Sequence, residues 1–236
     1  MPEREAEVAT FVLVHGGWSG GWIWAGVARE LRSAGHEVFT PTLTGLGERV
    51  HLASPEIDLE THVLDVVNVL RYERLERVVL AGHSYGGMVV TGVAEREPAR
   101  IARLVYLDAL VPRDGESVVS LVGPEAAAQW GGFAAAAGEG WRIPPMPDWD
   151  NADRNVPQPM RPMLSPLALR NPAARALERA FVHFTGKAPD EWSLPIFERM
   201  AARLRQDGWD VREAPFEHQP FVKRPAEAAR LLLGFA

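Results

Sequence analysis

The chain has 236 residues, seven histidines and no cysteine, with 47% hydrophobic and 24% charged residues and a net charge of −6. That length and balance suit one domain, or one domain with a large insertion, and exclude a disordered chain. Without cysteine there are no disulfides, no thiol nucleophile and no cysteine metal site. Scattered basic residues in an acidic chain argue against nucleic acid or an anionic membrane as the partner. No apolar run approaches the ~18 residues of a membrane span. Met1 to Glu7 is charged and lacks the apolar core of a secretion signal, so a cytoplasmic location is the expectation.

Ala9 to Val14 is a continuous apolar run rich in β-branched residues, the pattern of a strand buried on both faces of a parallel sheet. It ends in His15-Gly16-Gly17-Trp18. Trp22 to Ala34 carries Trp24, Val27 and Leu31 at helical spacing and stops before Gly35. His36 to Thr40 reads as a second strand, and Leu59 to Tyr72 as a helix with Val63, Val66, Val67 and Leu70 on one stripe. A strand from Val78 to Ala81, a helix from Met88 to Glu97 closed by Pro98, and a strand from Ile101 to Leu107 follow. This alternation predicts a mostly parallel sheet with right-handed crossovers. From Arg113 to about Arg175 the rhythm breaks. Prolines, the alanine-rich piece Ala126 to Ala137, and Trp130, Trp141 and Trp149 predict an inserted cap, mainly helical or irregular, over 113–177. The rhythm resumes with a strand from Ala180 to Thr185, a helix from Leu194 to Gln206, a strand from Trp209 to Ala214 and a last helix from Pro225 to Phe235. The core is thus expected over 1–112 and 178–236.

The stretch that carries chemistry is Gly82-His83-Ser84-Tyr85-Gly86, set between the strand ending at Ala81 and the helix beginning at Met88. This is the G-x-S-x-G pattern in a strand–turn–helix context. A serine on so tight a turn needs neighbours without bulk two residues to either side, and Gly82 and Gly86 provide them. Alone the pattern recurs by chance; its context makes Ser84 a candidate nucleophile.

A serine hydroxyl needs a general base, and the base an orienting acid, in the chain order Ser, acid, His. His15, His36, His51 and His62 precede the serine, His83 lies within the turn, and His183 sits mid-strand. Only His218 falls after the last strand and before the last helix. For the acid, Asp190 follows the strand Ala180 to Thr185 by a short loop and is the first candidate; Asp108, at the end of the preceding strand, is the alternative. The backbone N–H groups of Gly17 and Tyr85 are the candidate oxyanion donors. Trp18, Trp130, Trp141 and Trp149, with Met146, Met160 and Met163, point to an apolar or aromatic substrate, although ordinary packing accounts for such side chains as well.

At these residues the chain resembles the α/β-hydrolase superfamily, and within it the branch of plant methyl esterases, hydroxynitrile lyases and bacterial carboxylesterases, pyrethroid-cleaving ones included. The resemblance rests on Phe11 to Gly17, Gly21-Trp22-Ile23-Trp24, Ala34 to Val38, Gly82 to Gly87 and the late His218, and spans 8–112 and 178–236. It implies an α/β-hydrolase fold with helices on both faces of the sheet, a serine esterase acting through an acyl-enzyme, and a cap that selects substrates. In the family pattern the acid precedes a Leu-Pro-x-Phe helix start by four residues, as Asp190 precedes Leu194 (194 − 190). It also lies 28 residues before His218 (218 − 190). Bacterial relatives are similar in carrying an aspartate at the position of Asp108. The resemblance also implies that lyase activity is absent, since lyases of this branch have lysine where Gln219 stands and threonine where Gly16 stands. Ser84 in place of an elbow aspartate speaks against dehalogenase and epoxide hydrolase chemistry. A small-molecule ester is the expected partner, with no cofactor, no metal and no membrane; a homodimer is left open. The competing readings are the same triad acting on a lactone, a thioester or a C–C bond, and a ligand-binding protein that keeps the fold without catalysis.

Overall fold

The computed structural model describes residues 8–146, 149 and 151–236. The charged segment Met1 to Glu7 and Pro147 lie outside the described residues. Six strands form one sheet in the order β2-β1-β3-β4-β7-β8, and every pairing is parallel. These are β1 (Thr10–Val14), β2 (Glu37–Phe39), β3 (Val78–His83), β4 (Ile101–Leu107), β7 (Glu178–Phe184) and β8 (Asp210–Ala214).

The unbroken apolar runs of β1 and β3 follow from helices on both faces. Val12, Val14 and Leu80 point to one side, where they join Val63 and Val67 of α2 (Leu59–Tyr72), Met88 and Val89 of α3 (Gly86–Arg96) and Phe197 of α8 (Leu194–Gln206). Phe11, Leu13, Val79 and Ala81 point to the other, with Val27 and Leu31 of α1 (Ala25–Ser33) and Leu232 of α9 (Pro225–Leu233). Neither face is left to water, so a polar residue in either run would be buried without a partner. The expected helix from Trp22 is divided: a 3-10 turn, Gly21–Trp24, precedes α1.

Between β4 and β7 the chain forms α4 (Val118–Val122), α5 (Pro124–Ala137), β5 (Arg142–Ile143), β6 (Gln158–Pro159), α6 (Arg161–Leu164) and α7 (Pro172–Arg175). The short antiparallel ribbon β5–β6 departs from the sequence expectation of no strand there. It pairs Arg142 with Pro159 and Ile143 with Gln158, 17 and 15 residues apart (159 − 142 and 158 − 143), which no local pattern announces. No helix among the described residues is long and apolar enough to cross a membrane.

β1 has β2 on one side and β3 on the other, so the strand order reverses between β1 and β3. In open parallel sheets ligands bind beyond the carboxyl ends of strands at such a point. The loop after β1 and the turn after β3 meet there.

Candidate active site

The turn after β3 is held by its own steric demands. Ser84 adopts φ 54°, a left-handed conformation that a serine keeps only when its surroundings impose it. Its amide donates to the Leu107 carbonyl at 3.4 Å, and its carbonyl accepts from Leu110 N at 3.0 Å. A Cβ on Gly82 would stand 2.6 Å from the Gly86 carbonyl oxygen, and one on Gly86 would stand 2.7 Å from the His15 carbonyl oxygen. Both glycines are therefore obligatory for the close approach of strand, turn and loop. α3 begins at Gly86 with Tyr85 as its N-cap, so its positive end faces Ser84.

Three of the candidate side chains, Ser84, His218 and Asp108, converge here. His218 Nε2 lies 3.1 Å from Ser84 Oγ, and His218 Nδ1 lies 2.7 Å from Asp108 Oδ2. Asp108 can only accept, so Nδ1 carries the proton and Nε2 is left to accept from the serine hydroxyl. Asp108 is fully buried and has φ 44°. Its amide donates to the Val182 carbonyl at 2.8 Å, and Oδ1 accepts from Phe184 N at 3.1 Å. The end of β4 thus turns its carboxylate back over β7, toward the imidazole.

Asp190 is not brought to His218. It lies six residues past the end of β7 (190 − 184), exposed on the rim of the cavity. Of the two candidate acids, it is Asp108, the alternative, whose carboxylate meets the imidazole N–H. The physical reason lies in the loop after β7. That loop sends Lys187 inward in place of a carboxylate, with Nζ 2.9 Å and 2.8 Å from the two oxygens of Asp108. Neither Lys187 nor its partner has any exposed side-chain surface. Composition and spacing give no hint of this pair, whose members are 79 residues apart.

His218 is packed on several sides. Phe197 stacks on it with ring centres 4.8 Å apart, Trp192 stands edge-on at 6.2 Å, and His83 lies 4.6 Å beneath. His83 Nε2–H donates to the His218 carbonyl at 2.7 Å, which fixes the backbone that carries the base. His15 Nε2 accepts from Leu43 N at 3.0 Å, and its Nδ1–H donates to the Gly16 carbonyl at 2.7 Å, which anchors the loop bearing Gly17. His62 Nε2–H donates to the Thr44 carbonyl at 2.9 Å and its Nδ1 accepts from the Tyr85 hydroxyl at 2.7 Å.

Burial keeps these three supporting histidines neutral. It lowers His15 from 6.5 to about 4, holds His62 below its ordinary value, and holds His83 well below. A histidine whose folded value is depressed resists protonation while the unfolded chain accepts it. Stability is therefore full above about 6.5 and is lost as pH falls from there toward the folded value. By about pH 5.5, His15 alone should cost about 1.4 kcal/mol, and His62 and His83 act in the same direction. Urea unfolding at pH 7.5 and at pH 5.5 checks this; equal midpoints would contradict it.

A cavity of about 1430 Å³ opens over Ser84 and His218. Trp18, Trp130 and Trp149 line it. Trp18 stands edge-on to Trp130 at 5.7 Å and to Trp149 at 5.0 Å. Trp141 does not reach the cavity; it follows α5 at the start of the ribbon, where Arg142 covers its ring and Glu139 accepts from its indole N–H at 3.3 Å. Trp192, which the sequence reading missed, takes a cavity position and stacks on Trp149 at 5.9 Å. Of the methionines, Met146 lines the cavity and Met163 a smaller recess. Gln158, from β6, is buried and accepts from the Trp18 amide at 3.2 Å, tying the loop after β1 to the 113–177 segment.

Residues 11–230 match the model of the alpha/beta hydrolase family. A carbendazim hydrolyzing esterase of Nocardioides sp. (strain SG-4G) is 41% identical over 245 residues, covering 95% of this chain and 98% of the relative. The polyneuridine aldehyde esterase of Rauvolfia serpentina is 35% identical over 111 residues, 46% of this chain and 41% of that one. Among solved structures, an extracellular alpha/beta-hydrolase from a Paenibacillus species superposes with a TM-score of 0.82 at 25% identity, covering 96% of this chain and 98% of that one. A pyrethroid hydrolase from Sphingobium faniae JZ-2 superposes with a TM-score of 0.72 at 23% identity, over 97% of each chain, a likeness of fold. The chain belongs to the alpha/beta hydrolase family, as a hydrolase of the esterase type.

Proposed function

We propose that the protein is a serine carboxylesterase whose triad is Ser84, His218 and Asp108. The observation that carries this reading is the unbroken chain of hydrogen bonds from the serine hydroxyl through the imidazole to the buried carboxylate. Ser84 Oγ attacks the ester carbonyl while His218 Nε2 takes its proton, and Asp108 holds the imidazole in the required tautomer. The N–H groups of Tyr85 and Gly17 are assigned to the oxyanion, at the start of α3 and in the loop after β1. The C–O bond to the alcohol breaks as His218 returns the proton to the departing oxygen. Water, deprotonated by His218, then cleaves the acyl-enzyme and restores the serine. The esterase from Nocardioides, similar over nearly its whole length, supports the reaction class. Residues 113–177 are assigned as the cap on a core of 1–112 and 178–236, since they furnish much of the cavity wall.

The walls suggest the substrate. Trp18, Trp130, Trp149 and Trp192 offer flat apolar faces to a bulky aromatic group in the large cavity. Beside Ser84 and Tyr85, a recess of about 20 Å³ is walled by Leu110, Val118, Val122, Met163 and Phe197. A water-sized group needs roughly 10–15 Å³, so the recess takes one or two carbons. Esters with one small half, such as p-nitrophenyl acetate or a methyl arylcarboxylate, should be hydrolysed well. Those with two bulky halves should show kcat/KM lower by at least about tenfold. A panel that includes p-nitrophenyl octanoate and an aryl benzoate tests this; equal turnover across it would overturn the subsite reading.

A further inference from the structure

The triad does not use Lys187, yet this ammonium is the most enclosed charge beside it. The lysine stands in the loop after β7 with its side chain fully buried. Its Nζ donates to both oxygens of Asp108, at 2.9 Å and 2.8 Å, and to the Phe184 carbonyl. All three ammonium donors are thereby used. Asp108 is equally saturated, because Oδ1 accepts from Phe184 N as well as Lys187, and Oδ2 from His218 as well as Lys187. The Phe197 ring that stacks on His218 also lies 5.7 Å from Nζ.

We propose that Lys187 is a positioning residue of the esterase site, which neutralises Asp108 so that the carboxylate orients His218 without holding the imidazole in its charged form. The inference rests on the triad reading above. An unpaired buried aspartate beside an imidazole stabilises imidazolium, whereas a cation set against that aspartate opposes it. With Lys187 in place, part of the charge that faces the imidazole is offset at its source, and the proton His218 gains during attack is passed on readily to the leaving oxygen. The other ionisable groups around the pair are His83 below the imidazole, His183 on β7, Glu217 on the base's own loop, and Asp190 and Glu191 on the cavity rim. Burial holds His83 and His183 below their ordinary values. Glu217 faces Arg224 at 3.7 Å, and Asp190 is exposed. Among these groups, Lys187 is the cation in direct contact with the triad acid.

The test is the pH profile of kcat/KM for p-nitrophenyl acetate in wild type, Lys187→Gln, Lys187→Met and Lys187→Arg. Both neutral variants should move the acid limb upward by about one pH unit or more, with kcat reduced more than KM is raised. Lys187→Arg, which keeps the charge, should leave the limb near its wild-type place even if kcat falls. Folded neutral variants with an unmoved limb would overturn the proposal, as would an arginine variant that shifts as far as the neutral ones. Should the neutral variants fail to fold, the pair Asp108→Asn and Asp108→Asn/Lys187→Gln decides, since the double variant strands no buried charge. With the aspartate gone, removing the lysine should recover about tenfold in the rate of Ser84 labelling by a fluorophosphonate; equal rates would overturn the proposal. Retained turnover in Ser84→Ala would instead sink the triad reading itself, so the two failures are distinct.

Discussion

Replacing Ser84 with alanine should lower kcat for p-nitrophenyl acetate by about 10⁶-fold, the scale seen when a triad loses its nucleophile. The residue already sits in a left-handed turn enforced by Gly82 and Gly86, and alanine meets the same backbone demand as serine. The fold and the cavity should therefore survive, and binding of ester should persist while turnover does not. A residual rate about 10³-fold above the uncatalysed reaction would still come from the backbone donors and from binding. A melting temperature near that of the wild type, measured on the same sample, shows that the loss is chemical. A variant that keeps a substantial fraction of wild-type kcat would remove Ser84 from the mechanism.

Asp108→Asn should lower kcat by about 10⁴-fold, as expected when the base loses the acceptor that fixes its tautomer. Asp190→Asn should change kcat less than about threefold, because an exposed rim carboxylate without contact to the imidazole contributes little. The two variants differ in stability as well. Asparagine at 108 keeps one accepting oxygen for Phe184 and Lys187 but loses the charge that the buried ammonium faces. Breaking a buried ion pair from one side costs about 3–5 kcal/mol, so rates must be read at a temperature where the variant remains folded. Comparable losses in the two variants, or a larger loss in Asp190→Asn, would reinstate the loop carboxylate.

The frame of the molecule was legible because its signals are local. Burial on both faces makes β1 and β3 continuous apolar runs, and a serine between two glycines at the end of such a run marks the turn. His218 could be singled out because chain order alone leaves one histidine past the last strand. The acid could not be read with the same ease. Asp108 and Asp190 both lie beyond the carboxyl ends of strands, and the choice between them rests on a backbone reversal at residue 108 and an inward lysine at 187. Neither leaves a trace in the hydrophobic pattern. The walls of the cavity failed for a related reason. Trp141 and Trp192 both sit in irregular segments, where spacing carries no information on side-chain direction, and one turns away while the other turns in. Gln158 reaches the Trp18 amide across 140 residues of sequence, a contact that only the folded chain reveals.

The most direct test of the Ser84–His218–Asp108 relay is fluorophosphonate labelling followed by peptide mass spectrometry, with rates compared in wild type, Asp190→Asn and Asp108→Asn. The expected result is one adduct, on Ser84, formed at similar rates in the first two and at least about 10³-fold more slowly in Asp108→Asn. An adduct on any other residue, or undiminished labelling of Ser84 in folded Asp108→Asn, would contradict it.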